Sequence, residues 1–174
     1  MIKRFVLLVC LSVFGFNASA QTTPFKKVET QAYKLDVPTS WETRVIGDVG
    51  VSFLALAPLT SDTDPFRENL TIVVQDVAGT TNTMKSIMEE SKHDIINQLD
   101  RGNVFDEGSG TSKQGKYQRM AYSTFQNGIA LRYESRFFQV GTKVYILLFS
   151  SEKALYPEYE RRATQMMDSF VINP

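Results

Sequence analysis

The sequence is poor in the residues that carry most metal-binding and nucleophilic chemistry. Its 174 residues include one cysteine, Cys10, and one histidine. Charge is balanced, with 19 Lys and Arg against 19 Asp and Glu, so the electrostatic signature of nucleic-acid or anionic-membrane binding is missing. We therefore expect no nucleic-acid partner, no disulfide and no thiolate chemistry.

The first twenty residues predict a signal peptide. Lys3 and Arg4 precede an apolar run over residues 5–16, and Ala18-Ser19-Ala20 then forms a small-residue cleavage site. The run is shorter than the roughly 20 residues that span a bilayer, which argues against the alternative of an uncleaved anchor. We predict cleavage after Ala20 and export to the periplasm or beyond, with Cys10 as an ordinary apolar residue of the signal. No later run is long enough for a membrane span.

The first half of the remaining chain shows the alternation that is typical of half-buried strands. Residues 21–30 are polar and are expected to be loose, and residues 31–174 are expected to form one α+β domain. The strands that we predict in this half are 33–37, 41–45, 51–56 and 69–77.

The second half predicts two helices and an antiparallel meander. Apolar residues recur at helical spacing over 84–99, behind a capping Asn82 or Thr83. Residues 108–115 are expected to be a loop, and 157–170 a second helix. Between them, Asn127-Gly128 and Gly141-Thr142 are strong hairpin turns, which make 116–126, 129–140 and 143–150 neighbouring strands.

Several segments resemble the PsbP-like proteins, a group that includes Mog-type Ran-binding proteins and DcrB-type exported proteins. Residues 33–41, YKLDVPTSW, are similar to the opening Y-x-L-x-V-P-x-x-W of that group. Residues 66–74 resemble its second strand signal, and Asp168-Ser169-Phe170 fits its C-terminal end. The resemblance implies an α-β-α sandwich around an antiparallel sheet, with binding or assembly work rather than catalysis.

Two groups of residues are candidates for metal or catalytic chemistry. His93 follows Glu89 and Glu90 on the second half of the predicted helix, but a carboxylate metal site of this kind needs a second such pair. We read these residues as a polar helix surface. No motif for acyl transfer or nucleotide binding is present. We therefore expect neither an enzyme nor a bound cofactor or metal.

A second candidate for a cation site is the acidic segment before the strand at 69–77. It contains Asp62, Asp64 and Glu68. The spacing of these carboxylates fits no calcium loop. We interpret the segment as a solvated acidic loop.

Hairpin pairing places charged and aromatic residues on one face of the meander. Arg119 is predicted opposite Arg136, with Ala121 opposite Glu134 and Ser123 opposite Arg132. Because like charges that face each other destabilise a strand pair, the two facing arginines need an acidic partner. The opposite face is expected to be the main core.

Two readings of this charged face remain open. The first is an internally balanced Arg–Glu ladder, partly covered by the C-terminal helix. The second is a binding surface for an anionic ligand or an acidic protein. Its candidate binding residues are Tyr117, Arg119, Arg132, Glu134, Arg136 and Tyr145.

We therefore predict an exported, non-catalytic binding or accessory protein of the cell envelope. Its partner would be a protein or another envelope component. The alternative is a carrier of a small anionic or amphipathic ligand, held against the arginine and aromatic face.

Overall fold

The fold is taken from a computed structural model that describes residues 23–174. The predicted signal peptide and its cleavage after Ala20 lie outside the described residues. Everything said below about structure refers to the described part of the chain.

Ten strands and two helices follow one another along residues 23–174. The strands are β1 (Phe25–Glu29), β2 (Tyr33–Pro38), β3 (Glu42–Val45), β4 (Gly50–Leu56), β5 (Asn69–Asp76), β6 (Asn103–Ser112), β7 (Gly115–Gln126), β8 (Ile129–Val140), β9 (Lys143–Glu152) and β10 (Val171–Ile172). The helices are α1 (Met84–Gln98) between β5 and β6, and α2 (Tyr156–Ser169) between β9 and β10.

The strands form two antiparallel sheets. The larger sheet has seven strands in the order β3-β4-β5-β9-β8-β7-β6, and the smaller has the order β1-β2-β10. The fold is thus α+β with antiparallel sheets and helices, as the sequence predicts.

The two hairpin turns of the meander have the backbone that their sequences require. Asn127 and Gly128 both have positive φ, at 51° and 84°, and Gly141 has φ of 58°. These are the values that a type I′ turn and the first position of a type II′ turn need. The turns fix the register of β7, β8 and β9, which agrees residue for residue with the predicted pairing.

Both helices begin close to where the sequence places them. Thr83 caps α1, since its Oγ1 accepts a hydrogen bond from Ser86 N and the Ser86 hydroxyl accepts one from Thr83 N. Helix α2 has Pro157 in its first turn, where the missing N–H costs nothing.

The core is divided between the two faces of the large sheet, and the larger cluster is on the arginine face. There α2 and the small sheet cover Phe138, Tyr145, Leu147 and Phe149. Helix α1 covers a smaller cluster on the opposite face, around Phe137. The prediction that the opposite face is the main core is therefore wrong. Strand alternation shows which residues share a face, but not which face the distant C-terminal helix will cover.

Within the segment predicted to be loose, Phe25–Glu29 forms strand β1 against β2. The polar sequence of this segment does not predict the strand, because an edge strand is held through its backbone hydrogen bonds and needs few apolar side chains.

The predicted loop at 108–115 is also wrong. Most of it belongs to β6, the edge strand of the large sheet. Gly110 faces the ring of Tyr117 so closely that an added Cβ would lie 2.4 Å from it. In this part of β6 a glycine therefore makes room for an aromatic neighbour and does not mark a turn.

Candidate binding site

The structure brings the predicted charged residues together on one face of the large sheet. Arg119 pairs with Arg136, and Ser123 pairs with Arg132, as the turns predict. Helix α2 crosses this face, as the first of the two readings expects, and supplies polar groups that the sequence does not reveal.

Arg136 is enclosed by acceptors and an aromatic ring. The residue is 3% exposed. Its Nε lies 3.3 Å from Glu134 Oε1 and its Nη1 lies 2.5 Å from Asp168 Oδ1 on α2. The guanidinium also stacks 4.6 Å from the centre of the Tyr117 ring. The charge of Arg136 is therefore paired with carboxylates of the protein itself.

The second oxygen of Glu134 is also occupied. The hydroxyl of Tyr156, the first residue of α2, donates to Glu134 Oε2 over 2.9 Å. Burial, and next the negative charge of Glu134, raise the pKa of Tyr156 well above its ordinary value. Both ends of α2 are thus tied to the Glu134–Arg136 pair, by Tyr156 at one end and Asp168 at the other.

The charge of Arg119, which lies opposite Arg136, is paired with an acidic side chain. Its Nη2 lies 2.5 Å from Asp106 Oδ2 on the edge strand β6, in a pair whose two side chains are partly exposed. Tyr145 is buried in the larger core cluster. Burial raises the pKa of its hydroxyl.

Arg132 differs from the other two arginines of this face. Within residues 23–174 its side chain makes no hydrogen bond or ion pair, and its Nε is shielded from solvent without a partner. Its guanidinium carbon lies 3.7 Å from the centre of the Tyr156 ring and 5.3 Å from that of Phe105. A pocket of about 310 Å³ opens beside it.

A methionine-lined groove lies on the other face of the sheet, between α1 and strands β6 and β7. It has a volume of about 410 Å³, and Met84, Met88 and Met120 contribute apolar surface. Lys92 on α1 and Glu107 on β6 form an ion pair of 2.9 Å at its rim. The sequence does not predict this groove, because it arises where a helix meets an edge strand whose glycines indicate a loop.

The histidine and the acidic loop form no metal centre in the structure. The His93 side chain is 71% exposed. Among the described residues, no three His, Cys, Asp or Glu side chains are grouped so that they could hold a metal ion. Asp64 shapes its own loop by accepting hydrogen bonds from the backbone N–H groups of Thr60 and Phe66, which lower its pKa.

Glu68 departs from the predicted solvated loop, because it is fully buried. Its Oε1 accepts long hydrogen bonds from Glu152 N, at 3.3 Å, and Ser151 Oγ, at 3.4 Å. Oε2 has no partner within residues 23–174. Burial raises the pKa of the carboxyl group. The one sequence feature that indicates the burial of Glu68 is its position directly before a buried strand.

The fold of the chain is PsbP-like. It is similar to the solution structure of the cyanobacterial PsbP, CyanoP, of Synechocystis sp. PCC 6803. That structure has a TM-score of 0.59 at 11% identity, over 92% of this chain and 99% of CyanoP. At this identity the likeness shows the fold alone.

Two further solved structures are similar to this chain. PA94 of Pseudomonas aeruginosa, a protein of unknown function, has a TM-score of 0.60 at 15% identity, covering 86% of this chain and 98% of its own. LpqN of Mycobacterium tuberculosis, involved in cell envelope biogenesis, has a TM-score of 0.58 at 12% identity, covering 87% and 91%.

Comparison by sequence gives no family for the chain. No protein-family model matches it, and no curated protein matches it. The resemblance to Mog-type and DcrB-type proteins stays a prediction. Neither helix in residues 23–174 has the length and apolar character that crossing a bilayer demands.

Proposed function

We propose that this protein is an exported, non-catalytic binding or accessory protein of the cell envelope. The N-terminal sequence pattern supports export. An envelope role is supported by the likeness to LpqN, which is described as involved in cell envelope biogenesis. The partner is a protein or another envelope component.

The observation that carries a binding role is the open groove beside α1. Its methionines are flexible and polarisable, and such side chains adapt to apolar partners of different shape. The rim carries Lys85, Glu89 and the Lys92–Glu107 pair. An apolar segment flanked by charges of both signs fits this surface, because the rim offers partners to either sign.

For the alternative of a small-ligand carrier, fewer residues are free to bind an anion than the sequence suggests. Arg136 and Glu134 are satisfied within the protein, and Arg119 is paired with Asp106. Arg132 has no acceptor in the described chain. An anionic ligand therefore has one arginine of this face to bind, and that arginine lies beside a pocket.

Photo-crosslinking in the native host tests the binding role. A photoreactive residue in place of Lys85, at the groove, should capture one reproducible envelope protein, identified by mass spectrometry. The same residue in place of Glu90, which is exposed on α1 but does not line the groove, should not capture it.

A groove-filling variant provides the second arm. Gln118 on β7 lines the groove and lies on the same sheet face as Met120, so Gln118→Trp places a large ring in the groove. It should abolish the crosslink, whereas Gln126→Trp, at the exposed end of β7 and away from the groove, should leave it unchanged. Equal capture from Lys85 and Glu90, or capture that Gln118→Trp does not reduce, would contradict a partner in the groove.

A further inference from the structure

The pocket beside Arg132 lies on a single cross-strand row of the large sheet. Asn103 on β6 pairs with Ser123 on β7, which pairs with Arg132 on β8. Phe105 and Lys153 complete the lining of a space of about 310 Å³. Three strands and the turn before α2 therefore contribute to one small depression.

The guanidinium of Arg132 is held in place, but its Nε–H group has no hydrogen-bond acceptor in the described residues. Stacking at 3.7 Å on the Tyr156 ring fixes its plane, and a stacked arginine keeps its N–H edge available for acceptors. Its Nε is shielded from solvent with no acceptor in residues 23–174. A shielded donor without a partner costs free energy that an added acceptor would recover.

Strand β6 brings an exposed aromatic ring to the same place. The register of β6 on β7 passes from Val104 directly to Asp106, so Phe105 is the extra residue of a bulge. A bulge redirects a side chain, and here the Phe105 ring is 46% exposed while lying 5.3 Å from the Arg132 guanidinium. The ring offers a flat apolar surface beside the cation.

The two charged residues that line the pocket are both cations. Lys153 is exposed at the rim and adds a second cation to Arg132. Glu134, two residues along β8 from Arg132, has both oxygens engaged, by Arg136 and by the Tyr156 hydroxyl.

We propose that this pocket binds a small organic anion, whose carboxylate or phosphate accepts from Arg132 and Lys153. A flat or apolar body attached to this oxyanion packs on Phe105. The site deepens the ligand-carrier alternative of the proposed function. It is independent of the groove, because the two surfaces share no lining residue and either can fail alone.

Chemical-shift titration of the complete exported domain tests the proposal. The soluble probes are phenyl phosphate, benzoate and inorganic phosphate, and the membrane probes are vesicles with and without phosphatidylglycerol. We expect saturable shifts at Asn103, Ser123 and Lys153, with a Kd of about 1 mM for phenyl phosphate. Inorganic phosphate should bind about tenfold more weakly, since it has no ring to pack on Phe105.

Arg132→Gln should weaken phenyl phosphate binding about tenfold or more, because a charge-assisted hydrogen bond is lost. Arg119→Gln is the matched control, since Arg119 lies on the same sheet face and is already paired with Asp106. It should leave the affinity unchanged. If Arg132→Gln fails to fold, variants at the exposed residues Lys153 and Phe105 test the proposal instead. Lys153→Gln should weaken every probe, and Phe105→Ala should weaken phenyl phosphate and benzoate but not inorganic phosphate.

The arms distinguish the sources of the anion. Binding of the soluble probes alone identifies a free metabolite, and Arg132-dependent binding to phosphatidylglycerol vesicles identifies a lipid headgroup. The proposal is overturned if no probe gives a saturable response, or if Arg132→Gln and Lys153→Gln both bind phenyl phosphate as tightly as the unmodified protein.

Discussion

Asp168 Oδ1 on helix α2 accepts a hydrogen bond of 2.5 Å from Arg136 Nη1 in the middle of the large sheet. The Arg136 side chain is 4% exposed and that of Asp168 is 50% exposed. The bond therefore reaches from the interior to the protein surface. Together with the Tyr156–Glu134 bond at the other end of α2, it sets the position of this helix on the sheet.

Arg136→Gln should lower the free energy of unfolding by roughly 3–5 kcal/mol, because it leaves Glu134 buried without its cation. The matched variant Arg119→Gln breaks the partly exposed pair with Asp106 and should cost less than about 1 kcal/mol. Urea unfolding of both variants measures the difference. Equal losses would mean that the burial of Arg136 does not decide its contribution.

Glu68→Gln should raise stability at neutral pH. The pKa of Glu68 is raised by burial, so the folded state holds the proton more tightly than the unfolded state. The stability that this proton contributes is fully present below the unfolded pKa of about 4.3 and is lost as the pH rises through the folded pKa. Glutamine cannot ionise and avoids that loss.

The measurement for Glu68 is the difference in unfolding free energy between Glu68→Gln and the unmodified protein, followed from about pH 4 to about pH 7. As the pH rises, the unfolding free energy of Glu68→Gln should increase relative to that of the unmodified protein. The same substitution at Glu90, which is exposed on α1, should give a difference that hardly changes with pH. A flat difference for Glu68→Gln would contradict a raised pKa.

Gly102→Ala should destabilise the protein by about 2 kcal/mol or more, since a Cβ there would lie 1.6 Å from the carbonyl oxygen of Ile95. The end of α1 and the start of β6 would have to separate. Gly108→Ala, six residues further on, meets open space and should be close to neutral. Thermal unfolding of the two variants would settle the comparison, and similar melting temperatures would refute the close approach at Gly102.

The sequence is informative wherever short-range chemistry decides the structure. Asn127-Gly128 demands positive φ at two successive positions, and this alone sets the partners of Arg119, Ser123 and Glu134. Thr83 and the apolar spacing after it place the start of α1 in the same way. The meander and the pairing of its charges could therefore be predicted without coordinates.

The sequence is less informative wherever distant segments decide the structure. Asp168 lies 32 residues from Arg136, so the burial of this arginine depends on where α2 packs. The Arg132 pocket depends on a bulge at Phe105, in a strand that its glycines made look like a loop. Glu68 reads as one more acid of a polar loop until its burial against Ser151 is seen.

The small sheet joins the two ends of the described chain. Strand β2 pairs on one side with β1 and on the other with β10, where Ile172 lies opposite Tyr33. A chain that emerges with its N-terminus first must keep one edge of β2 open until its final strand is delivered. Completion of this sheet thus waits for β10, the last strand of the described residues, and removing Val171 and Ile172 would leave that edge available to other chains.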